Sequence, residues 1–177
     1  MERREALKAI LAGLAATPLF REASAAALLE RADALRAAPA GSFLNSVQLE
    51  AVAALCELVL PKTGTPGARD AKVELFVDRF LATAADDFRA AFLAGLSRLD
   101  RRALAAHERL FARASSGQQA SLLGAVAAAD AEFFENVRSL TVYGYFTSPE
   151  GLAALGWKLD AGPYAGCLHP EHSKVRP

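Results

Sequence analysis

The chain has 177 residues, enough for one domain with a continuous core. Hydrophobic residues make up 53%, much of it alanine, which favours helix but buries little surface per residue and so leaves apolar faces that suit a second protein. Lys plus Arg and Asp plus Glu both number 20, and this balance excludes the concentrated positive field that a nucleic-acid binder needs.

The first residues carry Arg3-Arg4 and Leu7-Lys8, followed by a mildly apolar run from Ala9 to Phe20. That order is the pattern of a twin-arginine export signal. The run is too short to span a membrane as a helix. Leu7, Ile10, Leu11 and Leu14 also recur at helical spacing, so the segment reads as a first helix too. The two readings are compatible if an uncleaved leader packs as a helix. Residues 1–24 are thus a leader or first helix, and residues 25–177 a helical domain.

Ala25 to Ala37 reads as a short helix, ended by Ala38-Pro39-Ala40-Gly41. Asn45 or Ser46 caps the next one, and Gln48 stands where a capping-box partner belongs. Its buried stripe is Leu49, Val52, Leu55, Cys56 and Val59, and Pro61 stops it. Pro61 to Ala68 then breaks the helical pattern with a rigid polar turn. Pro66 fixes one central dihedral, and Gly67 is expected to supply a positive φ at the next. The Thr63 and Thr65 hydroxyls are expected to satisfy turn amides. Asp70 is placed to cap a helix from about Lys72 to Thr83, with Val73, Phe76, Val77 and Phe80 on its buried face.

A longer helix is predicted from Asp87 to His107, with Asp86-Asp87 at its entrance, where negative charge is favourable. Ser115 and Gln118 form a second capping box before Leu122, Leu123 and Val126. Phe133, Phe134, Val137, Leu140 and Tyr143 make the densest aromatic stripe. The stretch from Thr141 to Gly151 is expected to be a second ordered, non-helical element. Ser148-Pro149 opens a last short helix that Gly156 can end. The fold class is all-α: a single helical bundle with a Thr-Pro-Gly turn and an irregular C-terminal tail.

Neither non-helical element holds a recognisable nucleophile, metal cluster or phosphate cradle. Gly64 and Gly67 lack the Gly-Lys-Ser/Thr ending of a phosphate loop. His169 and His172 lack a specifying cysteine or carboxylate, and no orienting acid is evident for His107. Arg101-Arg102 is a solvated step on a helix. Cys56 reads as a buried thiol. Cys167 lies in the Gly/Pro-rich tail, and in an oxidising compartment either Cys56 or another chain is open to it. Trp157 and Tyr164 look available to a partner, as such aromatics often anchor interfaces. The residues describe a surface rather than a catalyst.

Leu60-Pro61-Lys62-Thr63-Gly64-Thr65-Pro66-Gly67-Ala68, then Val73 through Phe80, then Leu140 to Leu155 around Gly144-Tyr145-Phe146-Thr147-Ser148-Pro149, carry a likeness. From about Val47 to Cys167 the chain resembles the small subunit of membrane-associated gluconate 2-dehydrogenase and related FAD-dependent sugar dehydrogenases. The resemblance implies a non-catalytic accessory subunit without a cofactor of its own. FAD then belongs to a separate large subunit of the glucose-methanol-choline (GMC) type, and some complexes add a multihaem cytochrome c subunit. It further implies that Arg3, Arg4, Leu7 and Lys8 belong to a twin-arginine leader that carries the complex to the periplasm, although Ala6 stands where phenylalanine is commoner. Expected partner contacts are Pro66, Gly67, Tyr145, Trp157 and Tyr164, with Cys167 as an intersubunit bridge. Two rival readings stay open on sequence alone: a general helical interaction scaffold unrelated to redox chemistry, and a free-standing helical enzyme using His107 or His169.

Overall fold

The computed structural model describes residues 24–37 and 43–156 continuously, together with residues 9, 10, 12–14, 17 and 20. Among the described residues every regular element is helical. They are α1 (Ala25–Ala37), α2 (Ser46–Val59), α3 (Val73–Thr83), α4 (Asp86–His107), a 3-10 turn (Phe111–Arg113), α5 (Ser116–Ala129), α6 (Ala131–Phe146) and α7 (Pro149–Ala154).

Local sequence rules set most of these boundaries. Asn45 accepts from the Gln48 amide at 2.9 Å while Gln48 Oε1 accepts from the Asn45 amide at 3.0 Å, which closes the predicted capping box on α2. Ser115 and Gln118 do the same for α5. The Ser148 hydroxyl accepts from the Gly151 amide at 3.0 Å, and Pro149 takes the first position of α7. Helix α4 begins one residue before the predicted start, with Asp86 and Asp87 both in its first turn.

Two expectations fail. Asp70 does not cap α3: that helix starts from Lys72, in the left-handed region at φ 51°, with no side-chain cap. The stretch from Thr141 to Gly151 is not an irregular element either, because α6 continues without interruption through Tyr143-Gly144-Tyr145-Phe146 and only Thr147 and Ser148 separate it from α7.

Helix α6 is the central element, packed against α2, α3, α4, α5 and α7, while α2 also packs on α3 and α1 on α3. Val73, Phe76, Val77 and Phe80 are all buried, as are Val52, Leu55 and Cys56 of α2, with Leu49 and Val59 half-buried. The Tyr143 ring sits edge-on to Phe76 and to Phe20, each with centroids 5.0 Å apart. Leu14, Thr17 and Phe20, which fall in the leader-like segment, are buried against the same core. No described helix is long and apolar enough to cross a membrane.

Candidate interaction surface

The turn after α2 is held from beneath by carboxylates. Glu57, in the last turn of α2, accepts from the Lys62 and Arg69 amides, both at 2.9 Å. Asp70 accepts from the Gly67 amide at 3.0 Å and pairs with Lys62 Nζ at 3.2 Å. Those two contacts, the Gly67 amide foremost, hold the Asp70 carboxyl below its ordinary range. The Ala68 amide returns to Leu60 O at 2.9 Å, and Ala68 is fully buried. The expectation that the Thr63 and Thr65 hydroxyls satisfy the turn is therefore replaced: at residues 62, 67 and 69 the acceptors are Glu57 and Asp70. Charged acceptors bind amides more strongly than hydroxyls do.

Gly67 is required for a reason other than the predicted one. Its φ is not positive; the positive-φ residues among those described are Lys72, Glu108 and Gly156. Instead, a Cβ at residue 67 would lie 2.6 Å from the Lys62 amide nitrogen and 2.7 Å from Glu57 Oε1. The glycine lets the chain pass over the carboxylate that organises the turn.

The second signature stretch is built with the same economy. At Gly144 a Cβ would stand 2.8 Å from Phe76 Cδ1 and 3.0 Å from Val73 Cγ1, so glycine lets α6 approach α3 closely. At Gly151 a Cβ would meet Tyr145 O at 2.0 Å, so α7 too can fold back only on glycine. Thr147 Oγ1 donates to Tyr143 O at 2.6 Å, and Ser148 Oγ to Tyr145 O at 2.6 Å, which satisfies carbonyls at the end of α6. Arg36 of α1 adds a cation there, donating to Gly144 O at 2.6 Å and Thr147 Oγ1 at 2.8 Å. A positive charge is favoured at that end of a helix.

Tyr145 joins the two stretches. Its hydroxyl donates to Pro66 O at 2.6 Å, and the residue is only 4% exposed. Between the turn and α7 lies an open groove of about 360 Å³, lined chiefly by Pro61, Thr65, Pro66, Phe146 and Leu155, with Tyr145 at its floor. Of the expected contact residues, Pro66, Gly67 and Tyr145 are thus brought together. Pro66 is exposed, while Gly67 and Tyr145 are buried beneath it. Trp157, Tyr164, Cys167 and the leader residues Arg3, Arg4, Leu7 and Lys8 lie outside the described residues. Glu57 and Arg36 organise the surface, and sequence reasoning misses both. The five- and twelve-residue spacings from Glu57 to its amides, and the much longer one from Arg36 to Gly144, obey no local pattern.

Two buried groups near this surface are held neutral. Burial pushes the Cys56 thiol up to about 12, although Thr141 Oγ1 lies 3.3 Å from its sulfur. Burial likewise raises the Tyr143 hydroxyl, which donates to Leu28 O, to about 12. A thiol so protonated is a core residue rather than a nucleophile. His107, half-exposed at the end of α4, lies far along the chain from the turn. Among the described residues no group of three or more His, Cys, Asp or Glu is placed to hold a metal ion.

No curated protein and no solved structure matches the chain. The model of the family described as gluconate 2-dehydrogenase subunit 3 matches residues 46–162, from the first residue of α2 through both signature stretches. With more than half of its length matched, the chain belongs to the gluconate 2-dehydrogenase subunit 3 family.

Proposed function

We propose that this chain is the non-catalytic small subunit of an FAD-dependent sugar or polyol dehydrogenase. In that role it stabilises a GMC-type catalytic subunit and escorts it to the periplasm by the twin-arginine route. The observation that carries the reading is the family match across residues 46–162. The site geometry agrees with it: Glu57, Asp70, Tyr145, Thr147 and Ser148 bind the chain's own backbone, and their product is a shaped, partly apolar face. The contact surface is centred on Pro66, supported from below by Gly67 and Tyr145, and continues into the segment bearing Trp157, Tyr164 and Cys167. Cys167 then bridges the two subunits. FAD, and where present a multihaem cytochrome c, belong to the partners.

Co-expression of the catalytic subunit with and without this chain tests the reading. With both present, the two co-purify and the complex shows a flavin spectrum, while the small chain alone is colourless. A catalytic subunit that folds, keeps its flavin and is exported normally without this chain overturns the proposal. Replacing Arg3 and Arg4 by lysine separates the parts: export should fall while assembly of the two subunits is retained.

A further inference from the structure

Leu14, Thr17 and Phe20 fall at every third position of the leader-like run, and all three are buried, whereas Ala9, Ala12 and Gly13 just before them are exposed. Backbone bonds tie the three together: the Thr17 amide donates to Leu14 O at 2.9 Å and the Phe20 amide to Thr17 O at 3.1 Å. The Thr17 hydroxyl also donates to Leu14 O, at 2.7 Å, so this polar side chain enters the interior with its donor satisfied. The Phe20 ring stands edge-on to Tyr143 of α6 and to Phe80 of α3, with centroids 5.0 and 6.0 Å away. Arg31 of α1 lies over the same Phe80 ring at 4.6 Å, and the Tyr143 hydroxyl donates to Leu28 O of α1. Phe20 and α1 together close the seam between α3 and α6.

Removal of an exported leader needs a cut at small residues in an accessible, unfolded stretch of backbone. The small residues after the run are Ala23-Ser24-Ala25-Ala26-Ala27. From Ala25 onward their backbone belongs to α1, and Ser24 starts that helix. The Ser24 hydroxyl accepts from the Ala27 amide at 3.2 Å, and its carbonyl from the Leu28 amide at 3.0 Å. A cut among these residues first has to unwind α1, and it then separates Phe20 from the two buried rings it covers.

We infer that the part of the chain bearing Leu14, Thr17 and Phe20 is a permanent structural element of the folded subunit, which seals the aromatic core at Tyr143 and Phe80 and is kept after export. The same apolar residues then serve as an address before they dock and as core packing afterwards. Retention after export rests on the subunit role proposed above; the structural role does not.

Two measurements test the parts separately. Urea unfolding of the purified full-length chain needs neither export nor partner. Phe20→Ala should lower the folding equilibrium constant by about a hundredfold or more, and Leu14→Ala should lower it in the same direction. Phe20→Leu, which keeps most of the buried volume, should lose clearly less and remains measurable if Phe20→Ala fails to fold. Ala12→Ser, at an exposed position, should stay within about twofold of the parent. Phe20 and Leu14 variants as stable as the Ala12 variant overturn the structural role. For retention, purified signal peptidase in detergent should leave the folded chain uncut beyond Phe20. The intact mass of the chain taken from the exported complex should likewise include Leu14 to Phe20. A folded chain cut beyond Phe20, or a mature chain that starts beyond it, overturns retention. A chain that passes the urea and peptidase tests but never leaves the cytoplasm overturns the export reading alone.

Discussion

Two regions of the bundle join their helices by different means. Around α4 and α5 several of the ties are ion pairs between side chains: Arg98 with Asp130, Nε to Oδ2 at 2.8 Å, and an exposed Arg113–Glu50 pair at 3.1 Å. At the α2–α3 turn and the α6–α7 junction, most of the ties run from a side chain to the backbone. Glu57 binds amides of the turn, Tyr145 reaches Pro66, Arg36 reaches Gly144, and three glycines admit backbone or side chains where a Cβ would collide. Substitutions in the first region are expected to have little effect. The second fixes one geometry, which suits the partner surface proposed above.

The largest difference should appear in alkali, because both strongly shifted acids belong to α2 and α6, the helices that carry the second region. Above pH 9 an unfolded Cys56 begins to lose its proton, whereas the folded one keeps it to about 12. The folded state then binds more protons, so stability is full below pH 9 and falls as the pH rises toward 12, by about 1.4 kcal/mol per pH unit for a single group. Tyr143 adds a similar slope from pH 10 upward. Urea unfolding of Cys56→Ala should lack the fall between pH 9 and 10 that the parent shows. Equal slopes in the two proteins would show that the thiol is not buried.

Glycine substitutions sharpen the contrast. Gly144→Ala forces a methyl against Phe76 and Val73, both fully buried and without room to move, and should cost about 1–3 kcal/mol. Gly124→Ala, on the exposed side of α5 with no atom within 4 Å of the added carbon, should instead stabilise by about 0.5–1 kcal/mol. Thermal unfolding of the two variants reads both signs.

What is legible in the sequence is what lies close along the chain. Both capping boxes, the Ser148-Pro149 start and the buried faces of α2 and α3 depend on residues within a turn or two of one another, and local pattern finds them all. The run from Thr141 to Gly151 misleads because Thr, Val, Gly and aromatics in succession resemble a break in helical propensity. Packing against α3 overrides that propensity. The glycine that looks like a breaker is the residue that permits the contact, while Thr141 satisfies its own hydroxyl on Val137 O at 2.7 Å. Local pattern marks Gly67 as necessary but suggests the wrong cause, since the Glu57 carboxylate beneath it is ten residues earlier. Asp70 reads as a cap for the helix after it, whereas its partner is the amide of Gly67, three residues back.

Within the turn, Glu57→Ala leaves the Lys62 and Arg69 amides without their charged acceptor and should cost about 1.5–3 kcal/mol. Glu57→Gln keeps a neutral acceptor in place and should recover part of that loss. Tyr145→Phe removes only the hydroxyl that donates to Pro66 O, and a loss of about 1 kcal/mol is expected. Its effect on association with the catalytic subunit should exceed its effect on folding, because the bond positions an exposed proline over a rigid floor. Competition between differently tagged parent and variant chains for the co-expressed catalytic subunit gives the relative affinity, and urea unfolding gives the stability. A Tyr145→Phe variant with unchanged affinity would mean that the turn meets its partner without this strut.

Arg98→Ala is the matching test in the other region and should have the smallest effect. The arginine and Asp130 sit at the mouth of a cleft between α4 and α5, with the arginine side chain 44% exposed. Solvent screens such a pair, and exposed ion pairs contribute about 0.2–1 kcal/mol, less in high salt. Asp130 also stands at the N-cap of α6 without making a side-chain cap bond there. Freed from Arg98, it can turn to the amides of the first turn of α6 and offset part of the loss. Urea midpoints for parent and variant should therefore lie close together at low salt and converge as salt is added. A loss above about 2 kcal/mol, well outside the range for exposed pairs, would mean that this region too is fixed in one geometry by its side-chain ties and that the contrast between the two regions is false.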